Sequence, residues 1–428
     1  MNTAEITFFI SSKIALHTAL PYISDLKQRN MGIHFVVSDD IISDVKSIAR
    51  PEDSVARIID YDHKNRFAKN IHKLLVLLIT PSDYSQIYQK LLSRRFDETN
   101  PFVALLLKFL MFITPSVERK NVNKTVKKLV ESFIRHKLPT EKIIAVTIPV
   151  SPYLLCGTGQ KVYSIMESWD HPAKWPLGYV SKKVFLWNKN LGNDWAFCQA
   201  DKDIDYAYPI KLLYAIKAEK QHKPNENLMM YPAITSKCSD VDRYEEEMRF
   251  MEMLVSVESS QKLLIKPKPN TVIGDLDYFT KYDNVMIGSY QENNSRSSYG
   301  LSDEYNNKRI EELSRCTSVL NLGTTFAFDA AAFGLPVIQL KFNCPKQFPI
   351  FSNFETFPHL HNHLFNRREL IFEITDDDSV VNQLKKILSD PETINKAERF
   401  RDYLVSWLIP EDTSECSASD VVEKIIRD

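Results

Sequence analysis

Cysteine and glycine are scarce in this 428-residue chain, and these scarcities exclude several classes of protein. The six cysteines include no CxxC pair, which supports neither a zinc site nor a disulfide scaffold and suits a reducing compartment. With only 10 glycines and 21 prolines, the chain contains no collagen-like segment or long flexible linker. Its formal net charge of −1 gives no global field, so we expect no nucleic-acid partner.

Long hydrophobic runs are also missing. The most apolar window, Phe102 to Ile113, is interrupted by Lys108. Its length of about 12 residues is short of the roughly 20 that a bilayer requires. Glu5 precedes the first apolar run and no basic segment stands before it, so we expect no signal peptide. We therefore expect a soluble cytoplasmic protein, attached at most to the inner membrane surface.

Common catalytic signatures are absent as well. The sequence has no GxGxxG, GxxxxGK[ST], GxSxG or HExxH motif. This disfavours a Rossmann dehydrogenase, a P-loop enzyme, a serine hydrolase and a metalloprotease. His359, His361 and His363 alternate, but they lack cysteine or acidic partners at useful spacing, so we expect no metal and no cofactor.

The first half of the chain alternates between strand and helix patterns. Ile6–Ile10 reads as a buried strand, an amphipathic helix follows, and Ile33–Val37 is the next strand. Val55–Ile59 looks like a third strand. Strand–helix–strand order within about 30 residues indicates a right-handed crossover in a parallel sheet. Further strand patterns begin at residues 142, 162, 184 and 204.

A mostly helical insert interrupts this half at about residues 65–138, and its last part is basic. Such a charge run is usually a solvated helix face. The alternative is that the insert rests on an anionic membrane, with its apolar helices supplying contact.

The polar stretch at 218–227 marks a domain boundary, after which the strand–helix alternation starts again. Beyond Phe348 the pattern is irregular, and three helices finish the chain. The sequence thus predicts an α/β protein with two doubly wound, Rossmann-like domains facing across a cleft. We assign 1–217 to the first domain, 226–393 to the second, and 394–428 to helices that return to the first.

The stretch from Ser318 to Leu340 is the most informative of the second domain. It reads as a buried strand, a turn at Gly323, a helix beginning at Thr324 and Thr325, and a second strand. A helix start with two hydroxyls and free N–H groups suits a phosphate. The structural alternative is an ordinary threonine cap on a strand–turn–helix crossover.

Two lysines and a carboxylate add to this candidate site. Lys266 and Lys268 end a buried strand of the second domain, where ligands of open α/β sheets bind. Asp329 lies one turn into the helix after Thr325 and could accept hydrogen bonds from ribose hydroxyls or support the helix end electrostatically. Together these residues predict a nucleotide site, whereas each alone could simply be solvated or structural.

Candidate catalytic residues follow a strand of the first domain. Glu167, Asp170 and His171 could remove a proton from an attacking hydroxyl, and Trp169 and Trp175 could form a stacking wall for a sugar. The alternative is a structural turn. Ser12 and His17, at the start of the first helix, complete the candidate acceptor site, although a lone histidine on a helix is more often structural.

Three of these motifs resemble those of bacterial GT-B glycosyltransferases, in the surface-carbohydrate branch that shares its C-terminal motif with CDP-glycerol glycerophosphotransferases. Glu167-Ser-Trp-Asp-His is similar to the Ser-Trp-Asp-Asn segment of that branch. Lys266-Pro-Lys-Pro stands where members have a basic residue followed by Pro-His-Pro. The run from Gly323 to Pro336 is similar to the family's Ser-Ser-x-x-Phe-Asp/Glu run ending in Gly-x-Pro.

The resemblance implies a nucleotide-sugar donor in the second domain, an acceptor in the first and metal-independent transfer. Lys268 replaces the family's histidine, and Asp170-His171 departs from His-Gly-Thr, which favours sugar transfer over polyol-phosphate transfer. We expect a glycosyltransferase that extends a glycan or glycolipid of the capsule or lipopolysaccharide. A CDP-polyol phosphotransferase, a nucleotide-sugar epimerase and a non-catalytic sugar- or nucleotide-binding partner stay open as alternatives.

Overall fold

The chain folds into two compact units, which comprise residues 1–210 with 409–428 (unit 1) and residues 211–408 (unit 2). The computed structural model describes residues 5–75, 127–146, 152–157, 159–166, 181–186, 203–207, 213–218, 228–233, 241–256, 262–267, 276–288, 303–322, 324, 326–340, 369, 371–374, 380–408 and 417–428.

Each unit is built on one parallel sheet. The sheet of unit 1 has the order β3-β2-β1-β4-β5-β6-β7 and that of unit 2 the order β10-β9-β8-β11-β12-β13. The strands are β1 (Ile6–Ile10), β2 (Ile33–Val37), β3 (Ser54–Arg57), β4 (Lys142–Val146), β5 (Lys161–Ile165), β6 (Lys183–Leu186), β7 (Asp203–Tyr206), β8 (Leu228–Pro232), β9 (Lys262–Lys266), β10 (Val285–Ile287), β11 (Cys316–Asn321), β12 (Val337–Leu340) and β13 (Phe372–Ile374).

Both sheets run outward from a central pair, β1/β4 in unit 1 and β8/β11 in unit 2, which is the doubly wound order. The helices are α1 (Lys13–Gln28), α2 (Ile42–Ile48), α3 (Ile58–Lys64), α4 (Arg66–Leu75), α5 (Leu213–Ala218), α6 (Val241–Ser256), α7 (Asp303–Arg315), α8 (Phe326–Phe333), α9 (Val380–Ser389), α10 (Glu392–Leu408) and α11 (Ala418–Arg427). The described helices include none that is both long enough and apolar enough to cross a membrane.

The core of unit 1 forms because β1 and β2 are apolar along nearly their whole length, as strands covered on both faces must be. Helix α1 begins at Ser12, whose hydroxyl accepts the Ala15 N–H at 3.1 Å. Helix α11, at the other end of the sequence, packs against α1 and adds buried aliphatic side chains to the same core. Unit 1 is thus completed by a segment that follows unit 2 in the chain.

The core of unit 2 is centred on β8, β11 and β12, with α6 and α9 packed against the sheet. Helix α8 is rich in alanine, so its backbone lies close to its neighbours and every residue after Phe326 is buried. Gly334 ends the helix at φ 94°, a left-handed conformation that favours glycine. Helix α10 also belongs to this unit and packs on α8.

Two expectations about secondary structure were wrong. Val55–Ile59 is not one strand: β3 ends at Arg57, and the two isoleucines that follow begin α3. β-Branched residues favour a strand locally, but here the register of β3 against β2 ends at Arg57. The segment beyond Phe348 is not wholly irregular, since Phe372–Ile374 forms β13 beside β12. Three residues are too few to show the period of a strand.

Candidate functional site

The candidate site lies at the carboxyl edge of the unit 2 sheet, where the chain leaves β8 and β11 in opposite directions along the sheet. This is the topological switch point, at which doubly wound sheets bind their ligands. Strand β9, which ends at Lys266, neighbours β8, and β12 neighbours β11. The start of α8 follows β11 after a short turn.

Asn321, the last residue of β11, organises that turn. It is fully buried, and its side-chain oxygen accepts two hydrogen bonds, from the Thr324 N–H at 3.0 Å and from the Thr324 hydroxyl at 2.9 Å. Its side-chain amide donates to Gln339 Oε1 at 2.7 Å, and the Gln339 amide donates to the Leu340 carbonyl at 3.2 Å. These bonds give the buried amides of Asn321 and Gln339 partners and fix the approach to α8.

This geometry determines the direction of the Thr324 hydrogen bond. A backbone N–H can only donate, so the Asn321 atom facing Thr324 must be the oxygen. The Thr324 hydroxyl contacts the same oxygen and therefore donates to it. The hydroxyl hydrogen is thus used within the protein, and the Thr324 oxygen keeps lone pairs that can accept.

Lys266 forms an ion pair inside unit 2 instead of pointing to solvent. Its Nζ lies 2.6 Å from Glu312 Oε2 on α7, and the two side chains are 5% and 10% exposed. Burial lowers the pKa of the Lys266 ammonium below its ordinary value, and the Glu312 carboxylate offsets only part of that effect. A Cβ at Gly288 would lie 3.0 Å from Glu312 Oε1 and 3.3 Å from the Lys266 side chain, so glycine leaves room for the pair.

Asp329 is held in the same way by a cation of α7. Arg309 Nη2 lies 3.1 Å from Asp329 Oδ1, and both side chains are largely buried. The Arg309 guanidinium also stands over the Phe326 ring, 4.9 Å from its centroid. Helix α7 therefore places a cation beside α8 and, one turn later, a carboxylate beside β9. The formal charges of these four side chains cancel.

The structure describes only some of the predicted site residues. Lys266, Thr324 and Asp329 lie in unit 2, within or next to the elements of the switch point. Ser12 caps α1 beside the carboxyl end of β1, and His17 is half-buried one turn further along α1. The other predicted residues lie outside the described residues: Glu167, Trp169, Asp170, His171, Trp175, Lys268, Gly323 and Thr325, as do His359, His361 and His363.

Sequence reasoning missed Asn321, Gln339, Arg309 and Glu312. The first two carried a usable signal, because each is the only amide side chain in a mostly buried strand. An amide buried in a strand requires a partner, and two on neighbouring strands can satisfy each other. Arg309 and Glu312 carried no such signal, since α7 is polar along most of its length.

Two doubly wound parallel units in one chain, with the last helix packed on the first unit, are the α/β architecture of the GT-B fold. The predicted fold class is therefore confirmed. The strand order of the two sheets carries this assignment.

Comparison with solved structures gives whole-chain matches at low similarity. The calicheamicin glycosyltransferase CalG4 has 11% identity and a TM-score of 0.48, over 100% of this chain and 99% of that one. A UDP-GlcNAc 2-epimerase from Neisseria meningitidis, bound to UDP-GlcNAc, has 11% identity and a TM-score of 0.48, over 99% and 100%. Acinetobacter baumannii MurG has 10% identity and a TM-score of 0.45, over the same shares. No family model and no characterised protein sequence matches the chain significantly.

Proposed function

We propose that this chain is a glycosyltransferase that moves a sugar from a nucleotide-sugar donor to a hydroxyl of a growing surface glycan, such as capsule or lipopolysaccharide. The observation that carries the proposal is the pair of hydrogen bonds by which the buried Asn321 side chain holds Thr324 at the switch point of unit 2. Doubly wound units bind nucleotides at this position. The resemblance of the 323–336 run to the C-terminal motif of surface-carbohydrate transferases supports a sugar nucleotide as the ligand.

In the proposed reaction an acceptor hydroxyl attacks the anomeric carbon of the donor sugar, and the bond from that carbon to the donor phosphate breaks. Asp170 takes the hydroxyl proton as general base, with Glu167 or His171 as substitutes. The phosphate leaves with the electron pair. Fixed positive groups that face this developing charge stabilise it without reorganising.

Four residues bind the leaving phosphate in this proposal: Lys266, Lys268, Gly323 and Thr325. Lys266 does so while paired with Glu312, since an ammonium has three donors. Thr324 has a different role, because its hydroxyl hydrogen is donated to Asn321. Its oxygen accepts from a ribose or sugar hydroxyl. Asp329 keeps Arg309 beside the start of α8.

On the acceptor side, we propose that Trp169 and Trp175 stack against a glycan or glycolipid, and that Ser12 and His17 complete the acceptor site of unit 1. The reaction needs no metal or cofactor in this proposal. The proposed location is the cytoplasm, at the inner face of the membrane, with the basic insert at about 65–138 as the contact.

Two variants test whether unit 1 supplies the general base and unit 2 binds the donor. Asp170→Ala should abolish transfer and leave the nucleotide-induced rise in melting temperature intact, because a ligand that binds the folded state stabilises it. The double variant Thr324→Val, Thr325→Val should weaken donor binding. Measurements are thermal shift with a nucleotide panel and product formation with nucleotide sugars and CDP-glycerol side by side.

Thr317→Val is the matched control, since it removes a hydroxyl at the opposite end of β11, where Thr317 donates to the Leu228 carbonyl at 3.2 Å. Normal turnover by Asp170→Ala would exclude Asp170 as the base. Transfer from CDP-glycerol alone would indicate a CDP-polyol phosphotransferase. Epimerisation of the donor without transfer would indicate a nucleotide-sugar epimerase. Nucleotide binding without any turnover would indicate a binding protein.

A further inference from the structure

A cavity of about 620 Å³ lies beyond the carboxyl ends of β2 and β3 in unit 1. Ser38 and Asp39 follow β2 directly, and Ile58 follows β3. The cavity is thus at the edge where open parallel sheets bind ligands, and its volume is that of a small-molecule site. Its described lining residues include neither Ser12 nor His17.

Two consecutive helices, α3 and α4, form most of the wall. The lining residues of α3 and α4 recur at spacings of three or four, so they project to the same side. They are Ile58, Ile59, Asp62, His63, Arg66, Lys69 and Asn70. The apolar part of this face is at the strand end, and the charged part lies further along the helices.

Asp62 is fully engaged and positions its neighbours. One of its carboxylate oxygens accepts the Tyr153 hydroxyl, and the other accepts from the Lys69 ammonium. Tyr153 is buried, so the arrangement is anchored to the body of unit 1. The Lys69 ammonium is therefore held in place and has further N–H groups to donate.

Arg66, His63 and Asn70 differ from Asp62 and Lys69 in their surroundings. No carboxylate of the described residues lies within ion-pair distance of Arg66, and His63 and Asn70 are exposed. A guanidinium matches a carboxylate or a phosphate with two parallel hydrogen bonds.

We propose that this cavity binds a saccharide unit that carries a carboxylate or a phosphate group. Arg66 and Lys69 bind the anionic group, while Asn70 and Asp39 bind hydroxyls. Ile58 and Ile59 pack against the apolar face of the ring. As a subsite for a further saccharide unit of the acceptor glycan, the assignment rests on the proposed function, and it makes the acceptor an acidic glycan.

The test is calorimetric titration of the full chain, without any nucleotide, with three probes: cellobiouronic acid, glucose 6-phosphate and neutral cellobiose. At least one acidic probe should bind about tenfold more tightly than cellobiose, and which of the two does so distinguishes carboxylate from phosphate. Arg66→Gln should remove this preference, a loss of about tenfold in affinity that is typical of a charged hydrogen bond.

Lys64→Gln is the matched control, because it removes the same charge two residues away and Lys64 is not among the lining residues. It should leave binding unchanged. Ile59→Trp, at a lining position that is 40% exposed, should fill the cavity and weaken every probe without disturbing the core.

Three results would overturn the proposal: no preference for an acidic probe, equal losses in Arg66→Gln and Lys64→Gln, or unchanged binding in Ile59→Trp. Since the titration contains no donor, such a failure leaves the transferase proposal standing. Conversely, a chain that fails to transfer sugar but shows the expected binding pattern would retain this site.

Discussion

At the scale of single residues, the candidate site of unit 2 depends on which groups already have partners. Lys266 and Glu312 form a largely buried pair at 2.6 Å, as do Arg309 and Asp329 at 3.1 Å. Removing one member of a buried pair leaves an uncompensated charge, whereas replacing both with apolar residues is often close to neutral. Replacing both members of the Lys266–Glu312 pair therefore tests whether Lys266 also binds phosphate, because the protein stays folded while the ammonium group is removed.

We predict that Lys266→Met and Glu312→Gln each lower the free energy of unfolding of unit 2 by about 3–5 kcal/mol. The double variant Lys266→Met, Glu312→Leu should lose much less than the sum, because no charge is left unpaired. Urea unfolding measures the three variants, and nucleotide affinity is measured on the double variant.

The control is the exposed pair Arg427–Glu423 on α11, where Glu423→Gln should cost no more than about 1 kcal/mol. If the double variant is stable but no longer binds nucleotide, Lys266 contacts the donor phosphate. Additive losses from the two single variants would show that the pair is not coupled.

At the scale of elements, Asp53 connects β2 to the loop before β3. Its side chain is fully buried and accepts the Ile33 N–H at 3.1 Å, the Arg50 N–H at 2.9 Å and Arg50 Nη2 at 3.1 Å. Burial alone would raise the pKa of Asp53. The hydrogen bonds from Arg50 and Ile33 outweigh it, and the pKa is lowered below its ordinary value.

The lowered pKa predicts a pH-dependent contribution to stability. A carboxyl group whose pKa is depressed by folding stabilises the protein above its unfolded pKa of about 3.9, and that stabilisation is lost as pH falls through the folded pKa. Asp53→Asn should therefore lower the free energy of unfolding by about 1–3 kcal/mol at pH 7.

The deficit of Asp53→Asn should shrink when urea unfolding is repeated below about pH 4. Asp44→Asn, whose side chain is 41% exposed and makes a 3.6 Å ion pair with Lys13, is the matched control and should lower the free energy of unfolding at pH 7 by no more than about 1 kcal/mol. A deficit for Asp53→Asn that is the same at pH 7 and pH 3.5 would contradict the assignment.

At the scale of the whole molecule, α11 joins the end of the sequence to the core of unit 1. Val421, Val422 and Ile425 are fully buried there. The carboxyl end of α11 lies at the amino edge of the sheet, where the lysines that begin or precede β4, β5 and β6 donate to it: Lys142 to the Ile425 carbonyl at 3.0 Å, Lys161 to the Asp428 main-chain oxygen at 3.0 Å, and Lys182 to the Asp428 carboxylate.

These contacts explain why like charges are tolerated on neighbouring strands. Lys142 and Lys161 are directly opposite each other in the register of β4 and β5. Two like charges at such positions repel each other and destabilise the sheet. Here both ammonium groups donate to the carboxyl end of α11, whose partial negative charge reduces that repulsion. The sheet edge and α11 therefore stabilise each other.

Ile425→Ala should destabilise unit 1 by about 2–5 kcal/mol, the usual cost of truncating a buried aliphatic side chain. Hydrogen exchange should show faster exchange of the amides of β1, β2 and β4. The amides of β8 and β11 should be unaffected, because the cores of the two units share no residues. Ile426→Ala, at a partly buried position of the same helix, should have a smaller effect; an equal effect would argue against the packing.

How far the sequence predicts this protein differs from element to element. The amphipathic spacing of α1, the apolar runs of β1 and β8, and the alanine-rich α8 with Gly334 are local signals, and the structure has each of them where expected. The alternation of strands and helices predicts most of the parallel, doubly wound strand order, because right-handed crossovers leave few other arrangements.

The sequence predicted which strand ends carry the candidate site residues, but not the partners of those residues. The strand ends and the turn before Thr324 can be predicted from the sequence, since they depend on residues that are neighbours in the chain. The partners of Lys266, Asp329 and Asn321 come from α7 and β12, and only tertiary packing brings them within hydrogen-bond distance. Sequence by itself thus determined the two parallel α/β sheets and the sheet edge at which the candidate site was placed. Tertiary structure decided which charges there are already balanced, because pairing depends on distances between elements that the order of residues does not contain.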